Sequence, residues 1–204
     1  MAPVVCGHVQ ADGVGVQWFA GTGFFVDAAH FVTAGDVIRA LESVRPGRQA
    51  CDKAIGIPIG GWNRESVGTD FQWHLFNCDV DDGLDLAVCK TVDTPAGVVP
   101  VTLVDTRPPD GAEVAFSGFP KGYVQPVTVR CHIAGYIENG GPEGTRQVLL
   151  DNNGQPGNSG SPIYLQDGTV IGMVVGYRDG KIGSGRSSHF ILRFLRDHAV
   201  VPPK

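Results

Sequence analysis

The chain has 204 residues and a formal charge of −5, from 16 basic and 21 acidic side chains. That balance gives no electrostatic case for binding nucleic acid or an anionic membrane, and the length suffices to bury a core as one domain or two small ones. Twenty-nine glycines and fourteen prolines beside 18% charged residues suit many short strands joined by turns.

In chain order, apolar or alternating runs predict strands at residues 14–19, 23–26, 30–34, 55–59, 84–89 and 99–103. Residues 60–82 hold Trp62, Phe71, Trp73 and Phe76 among polar neighbours and read as an ordered loop or hairpin lying over that first set, its aromatics used for packing. Asp105, Pro108, Pro109 and Asp110 mark a linker over 105–111. It separates an N-terminal unit, 1–104, from a C-terminal unit, 112–204. A second set of strands follows at 113–118, 124–137, 147–150, 160–165, 169–176 and 188–192, with a short helix over 193–199. The run Gly118-Phe119-Pro120-Lys121-Gly122 reads as a tight turn, because Pro120 fixes φ and Gly122 relieves it.

No apolar run approaches the ~18 residues of a membrane span, and the first six residues lack the basic start and apolar stretch of a signal peptide. Arg178, Lys181, Arg186, Arg193 and Arg196 gather near the end, but Asp179 and Asp197 interleave and no aromatic ladder accompanies them, so they read as a solvated face. Five cysteines is an odd number without a C-x-x-C pair. The simpler reading is free thiols in a soluble protein of the cytoplasm or another reducing compartment. Cys78, Cys89, Cys131 and His132 lack the clustered spacing of a zinc site, and neither a metal nor another cofactor is expected.

The most informative run is Gly157-Asn158-Ser159-Gly160-Ser161-Pro162, followed by an apolar strand. Its glycines open backbone conformations closed to other residues, so that the Gly157 and Ser159 amides converge above the Ser159 hydroxyl and form an oxyanion hole. A plain Gly/Asn/Ser/Pro hairpin turn is the bland alternative. Two further blocks weigh against it: Gly21-Thr-Gly-Phe-Phe-Val26 followed by Phe31-Val-Thr-Ala-Gly-Asp-Val-Ile38, and Asp85-Leu-Ala-Val88.

With these three blocks the chain resembles the trypsin-like serine peptidases of the chymotrypsin fold, particularly bacterial and viral members whose nucleophile motif reads G-N-S-G-x-P. The resemblance spans roughly residues 15 to 195. It implies an all-β fold of two six-stranded antiparallel Greek-key barrels with a short C-terminal helix. It also implies Ser159 as nucleophile, Asp85 as orienting acid and a polypeptide substrate. Val174, Val175, Gly176 and Tyr177 would pair with an extended substrate backbone, and Asn153, Gly154 and Gln155 would lie at the specificity pocket, where no acidic residue supports a preference for Lys or Arg. Asn158 replaces the aspartate that secreted relatives pair with a newly cut N-terminus.

The family's catalytic histidine falls at position 36, which is Asp36. In this chemistry an imidazole takes the serine proton and returns it to the leaving amine. Aspartate is shorter, expected not to reach both partners, and at its ordinary pKa of about 3.9 is a weak base. His30 lies ~20 Å away if the six intervening residues are extended at ~3.3 Å each. His8, His74, His132, His189 and His198 have no catalytic context. Two readings compete: a serine endopeptidase inactivated or strongly impaired at one position, and a pseudoprotease that keeps the cleft as a peptide-binding or scaffolding surface. Slow hydrolysis of activated esters by Ser159 fits the first.

Overall fold

The computed structural model describes residues 1–10, 13–43, 51, 53–56, 73–92, 94, 97–120, 123, 125–139, 145–152, 154–178 and 181–203. The first six strands are β1 (Ala2–Gln10), β2 (Gly13–Phe25), β3 (His30–Ala34), β4 (Lys53–Gly56), β5 (Trp73–Asp81) and β6 (Leu86–Val92). They pair antiparallel in the order β1-β2-β3-β6-β5-β4, and β4 returns to β1 to close a barrel. The next six are β7 (Glu113–Gly118), β8 (Val127–Asn139), β9 (Thr145–Leu150), β10 (Pro162–Tyr164), β11 (Val170–Arg178) and β12 (Ile182–Ser187). Their order, β7-β8-β9-β12-β11-β10 with β10 closing on β7, repeats the first pattern. Closure leaves unpaired backbone groups only where a strand runs past its neighbour.

Two helices complete the fold. Helix α1 (Gly35–Glu42) starts directly from β3, turning Val37, Ile38 and Leu41 inward. Helix α2 (Ser188–Asp197) buries Phe190, Ile191, Phe194 and Leu195, spaced so that they share one face. That face does not join the cluster inside the second barrel but belongs to a larger one, which holds first-barrel residues such as Val4, Phe24 and Leu86 together with Val170 and Met173 of β11. A separate cluster of Val114, Phe116, Ile133, Val148, Leu150, Ile163 and Ile171 fills the second barrel.

Several expected elements move. The runs predicted at 14–19 and 23–26 are parts of one thirteen-residue strand, β2. Strand β1 was not expected, and β5 lies inside the segment expected as a loop over 60–82. Trp62, Phe71, Lys121 and Gly122 lie outside the described residues, as do the side chains of Trp73 and Phe76. The run at 99–103 forms no strand; Leu103 makes a single parallel bridge to Val170. The run expected as the last strand, 188–192, is instead the first half of α2, and the strand itself is β12, whose Gly183 and Gly185 hide the apolar alternation. Gly185 is required there, because a Cβ would stand 2.5 Å from Ile163 and 2.9 Å from the Met173 carbonyl.

The free-thiol expectation is overturned. Cys6 and Cys51 form a disulfide with Cα atoms 5.5 Å apart, and Cys78 and Cys89 form a second at 4.0 Å. Cys78 and Cys89 sit on the neighbouring strands β5 and β6, beside a register shift between Phe76 and Asp79. Without β1 and β5 in the predicted strand set, no pattern in the sequence brings these residues together. The second bridge also removes Cys78 and Cys89 from any zinc set, and Cys131 alone remains a free, buried thiol.

Candidate active site

The segment 154–161 is a pair of tight turns, closed by Asn158 N–H donating to the Gln155 carbonyl (2.9 Å) and Ser161 N–H to the Asn158 carbonyl (2.9 Å). Gly157 at φ 101° and Gly160 at φ 88° take the left-handed conformations these turns need. Gly160 has a second constraint, since a Cβ there would come 1.8 Å from the Thr22 carbonyl oxygen.

Backbone bonds fix the turn to both barrels. Gly160 N–H donates to the Val174 carbonyl (2.8 Å) and Val174 N–H to the Ser161 carbonyl (2.9 Å), which anchors it to β11. From β2, Thr22 N–H donates to the Ser159 carbonyl (2.8 Å), and the Thr22 hydroxyl donates to the Gly157 carbonyl (2.8 Å) while accepting from Phe119 N–H (2.9 Å). Thr22 is fully buried. Neither the Gly157 nor the Ser159 amide donates to another described group.

Helix α1 carries Asp36 in its first turn, where the helix dipole favours a negative charge. The Ser159 hydroxyl donates to Asp36 Oδ2 at 3.2 Å, and Asp36 N–H donates to Asp85 Oδ1 at 2.8 Å. The expected reach of Asp36 holds, since its carboxylate does not meet both partners. Its side chain meets the serine, and its backbone amide rather than its carboxylate meets Asp85. Asp85 itself has φ 54°, at the end of a turn that Asp81 holds by accepting from Leu84 N–H at 2.8 Å.

The carboxyl of Asp36 faces the cleft, yet protein packed on its inner side strips water from it. That desolvation, with the charge of Asp85 beside it, raises its pKa to about 6 against the opposing pull of the Ser159 hydroxyl, the Val37 amide and Arg39. The ordinary value assumed from the sequence therefore does not hold. Arg39 bonds Asp82 and stands 3.8 Å from Asp85.

Arg186 also departs from expectation. Only 4% exposed, it crosses from β12 to donate its Nε–H to the Leu84 carbonyl at 2.7 Å. Burial lowers its pKa while Asp85 and Asp81 oppose that shift. A solvated basic cluster thus fails for its central member. Neither Arg186 nor Thr22 was singled out from sequence. For Thr22 the flanking Gly21 and Gly23 were an available signal, because a Cβ at either would enter the packing against Val37 or Phe31; for Arg186 there was none.

The histidines stand elsewhere. His30 Nδ1 pairs with Asp27 (2.7 Å) at the far end of β3, His132 with Asp151 (2.9 Å), His189 with Asp105 (3.0 Å), and His198 with the Phe194 carbonyl (2.8 Å). His74 lies on β5, and the side chain of His8 is outside the described residues.

Along β11, the β10 pairing stops at Met173. Beyond it, Val174 pairs with β12 on one side and with Gly160 and Ser161 on the other, while Gly176 and Tyr177 pair only with β12 among the described residues, after a register shift between Val174 and Gly176. Past Val174 the other edge of β11 has no partner among the described residues, and Tyr177 is 56% exposed. Gly154 lies against Asn158 and Val174, where a Cβ would make contacts of 3.4 and 3.6 Å; Gln155 is exposed. Asn153 lies outside the described residues.

No curated protein sequence matches the chain. Solved structures do. The active form of the Rv3671c protease from M. tuberculosis superposes with a TM-score of 0.69 at 17% identity, covering 100% of this chain and 82% of that one. The inactive form of a serine-to-alanine mutant of Rv3671c from M. tuberculosis H37Rv gives 0.67 at 18% identity, covering 98% and 89%. At these identities the likeness establishes the shared fold. The family model described as the trypsin-like peptidase domain matches residues 21–173, which include position 36, Asp85 and Ser159, and the chain belongs to that family.

Proposed function

We propose that this chain is a serine endopeptidase domain whose peptide hydrolysis is strongly impaired because Asp36 stands at the position of the general-base histidine. One observation carries the reading: the Ser159 hydroxyl is hydrogen-bonded to the position-36 side chain, with Asp85 directly behind it. The nucleophile, acid and oxyanion amides of Gly157 and Ser159 keep a catalytic arrangement around one changed group. An extended polypeptide would lie along the edge of β11 past Val174, at Val175 to Tyr177, by backbone pairing, with Gly154 and Gln155 near its side-chain pocket. The two disulfides support an oxidising compartment rather than the reducing one expected from cysteine spacing.

Fluorophosphonate labelling tests this reading on the chain as it stands, on Asp36→His, and on Asp36→His combined with Ser159→Ala. Strong labelling restored by the imidazole and lost without Ser159 supports an endopeptidase missing one group. Failure of every version to label would replace it with a pseudoprotease that uses the cleft to bind peptide.

A further inference from the structure

Resting on the reading of Ser159 as a nucleophile, we infer that the Asp36 carboxylate is itself the proton acceptor for Ser159, so that the chain is a slow acyl-transfer catalyst built on a serine–aspartate pair. Three observations bear this out. The Ser159 hydroxyl already donates to Asp36 Oδ2, so the acceptor lies on the proton that must leave. The side chain is held from behind, because the adjoining amide is anchored on Asp85 and α1 is packed through Val37 and Ile38. No described histidine competes for the serine, each being engaged or placed elsewhere.

Charge around the pair favours the same assignment. Asp36 faces Asp85 from the β5–β6 turn, Arg39 from its own helix and Ser159 from the nucleophile turn, while Arg39 also pairs with Asp82 and Arg186 reaches the Leu84 carbonyl of the acid turn from β12. Both arginines offset the charge of Asp85, while Asp36 has the serine hydroxyl as its only side-chain hydrogen-bond partner among the described residues. Its titration near 6 matches a base used close to neutral pH.

The step balances with water as the only co-reactant. As Ser159 Oγ bonds to the carbonyl carbon, its proton moves to Asp36 Oδ2 and the carbonyl electron pair goes to oxygen. Collapse breaks the bond to the leaving group, which takes the proton from the Asp36 carboxylic acid and leaves an acyl-serine. A water then gives its proton to Asp36 as it attacks the acyl carbon, and Ser159 departs with that proton. An activated ester, whose leaving group needs little protonation, suits this pair better than an amide.

The experiment measures fluorophosphonate labelling and p-nitrophenyl ester hydrolysis between pH 4.5 and 8.5, for the unaltered chain, Asp36→Asn and Asp36→His. Thermal unfolding at each pH confirms that the compared proteins are folded. A general base contributes roughly 10²–10⁴-fold. The expected result is a rate that rises with a midpoint near pH 6 and falls at least 10²-fold in Asp36→Asn. Equal rates in the unaltered chain and Asp36→Asn, with Asp36→His reactive, would overturn the carboxylate base while leaving the endopeptidase reading intact. Silence in all three would overturn both. The pH profile of the unaltered chain needs no substitution, and a flat profile would also overturn the proposal.

Discussion

Replacing Thr22 by valine keeps the side chain's shape and exchanges its hydroxyl for a methyl at the junction of the two barrels. Two hydrogen bonds disappear, one to the Gly157 carbonyl and one from the Phe119 amide, and Thr22 is fully buried, so water has little access to replace them. A buried group left unpaired costs about 1–3 kcal/mol, which puts Thr22→Val at about 2–6 kcal/mol. For a chain of this size each kcal/mol moves the midpoint by about 2–4 °C, so the loss is on the order of 10 °C. Thr22→Ser is the control: it keeps both bonds and loses one methyl, about 1 kcal/mol. Urea and thermal unfolding, followed by tryptophan fluorescence and circular dichroism, read both variants. The Gly157 carbonyl sits in the nucleophile turn, so Thr22→Val should also slow fluorophosphonate labelling of Ser159 at temperatures where it is fully folded. If valine and serine variants unfold within about 0.5 kcal/mol of one another, the hydroxyl does not tie the turn to β2 and the argument fails.

Four shorter tests follow from the same geometry. Gly160→Ala drives a Cβ to 1.8 Å from the Thr22 carbonyl; it should abolish Ser159 labelling and lower the unfolding midpoint, and a silent substitution would contradict the close approach. Reducing the disulfides, which close sequence separations of 45 and 11 residues, should cost about 4 and 3 kcal/mol by the chain-entropy rule, so Cys6→Ser should destabilise more than Cys78→Ser, and an unfolding curve indifferent to reductant would refute both bridges. Arg186→Met leaves the Leu84 carbonyl without its partner and should lose about 1–3 kcal/mol; unfolding in urea unchanged from the parent would place Arg186 in solvent after all. Because folding raises the Asp36 pKa to about 6, the folded state holds its proton more tightly than the unfolded chain. Stability should therefore fall as pH rises from about 4 to 6 and stay lower above. In Asp36→Asn that loss, about 1 kcal/mol once solvent screening is allowed for, should vanish from a comparison of midpoints at pH 4 and pH 7.

The second barrel was more legible in the sequence than the first. Strand β7 matches its predicted run, and β8 to β11 lie close to theirs, because each is an alternating or apolar run bounded by turn residues. The first barrel hid two strands. Strand β5 carries Asn77, Asp79 and Asp81 among its apolar residues and a register shift that breaks period-two patterning. The last strand and α2 exchanged identities for a related reason: Gly183 and Gly185 suppress the strand signal, while the short run through Phe190 to Leu192 is equally compatible with either element. At the site, residues with a local motif were found. Arg186 and Thr22, which act through contacts 102 and up to 135 residues away in sequence, leave no local pattern. The proton affinity of Asp36 was misjudged because it depends on burial and on the charge of Asp85 beside it, which sequence does not display.

The packing of α2 into the first core has a consequence for how the chain is made. Phe190, Ile191, Phe194 and Leu195 complete a cluster whose other members begin at Ala2. During synthesis those four side chains follow all six strands of the first barrel, so its interior stays unfinished until they are made. Removing residues 188–197 would leave that cluster open to solvent, and the first barrel gains its full cohesion only when α2 folds onto it.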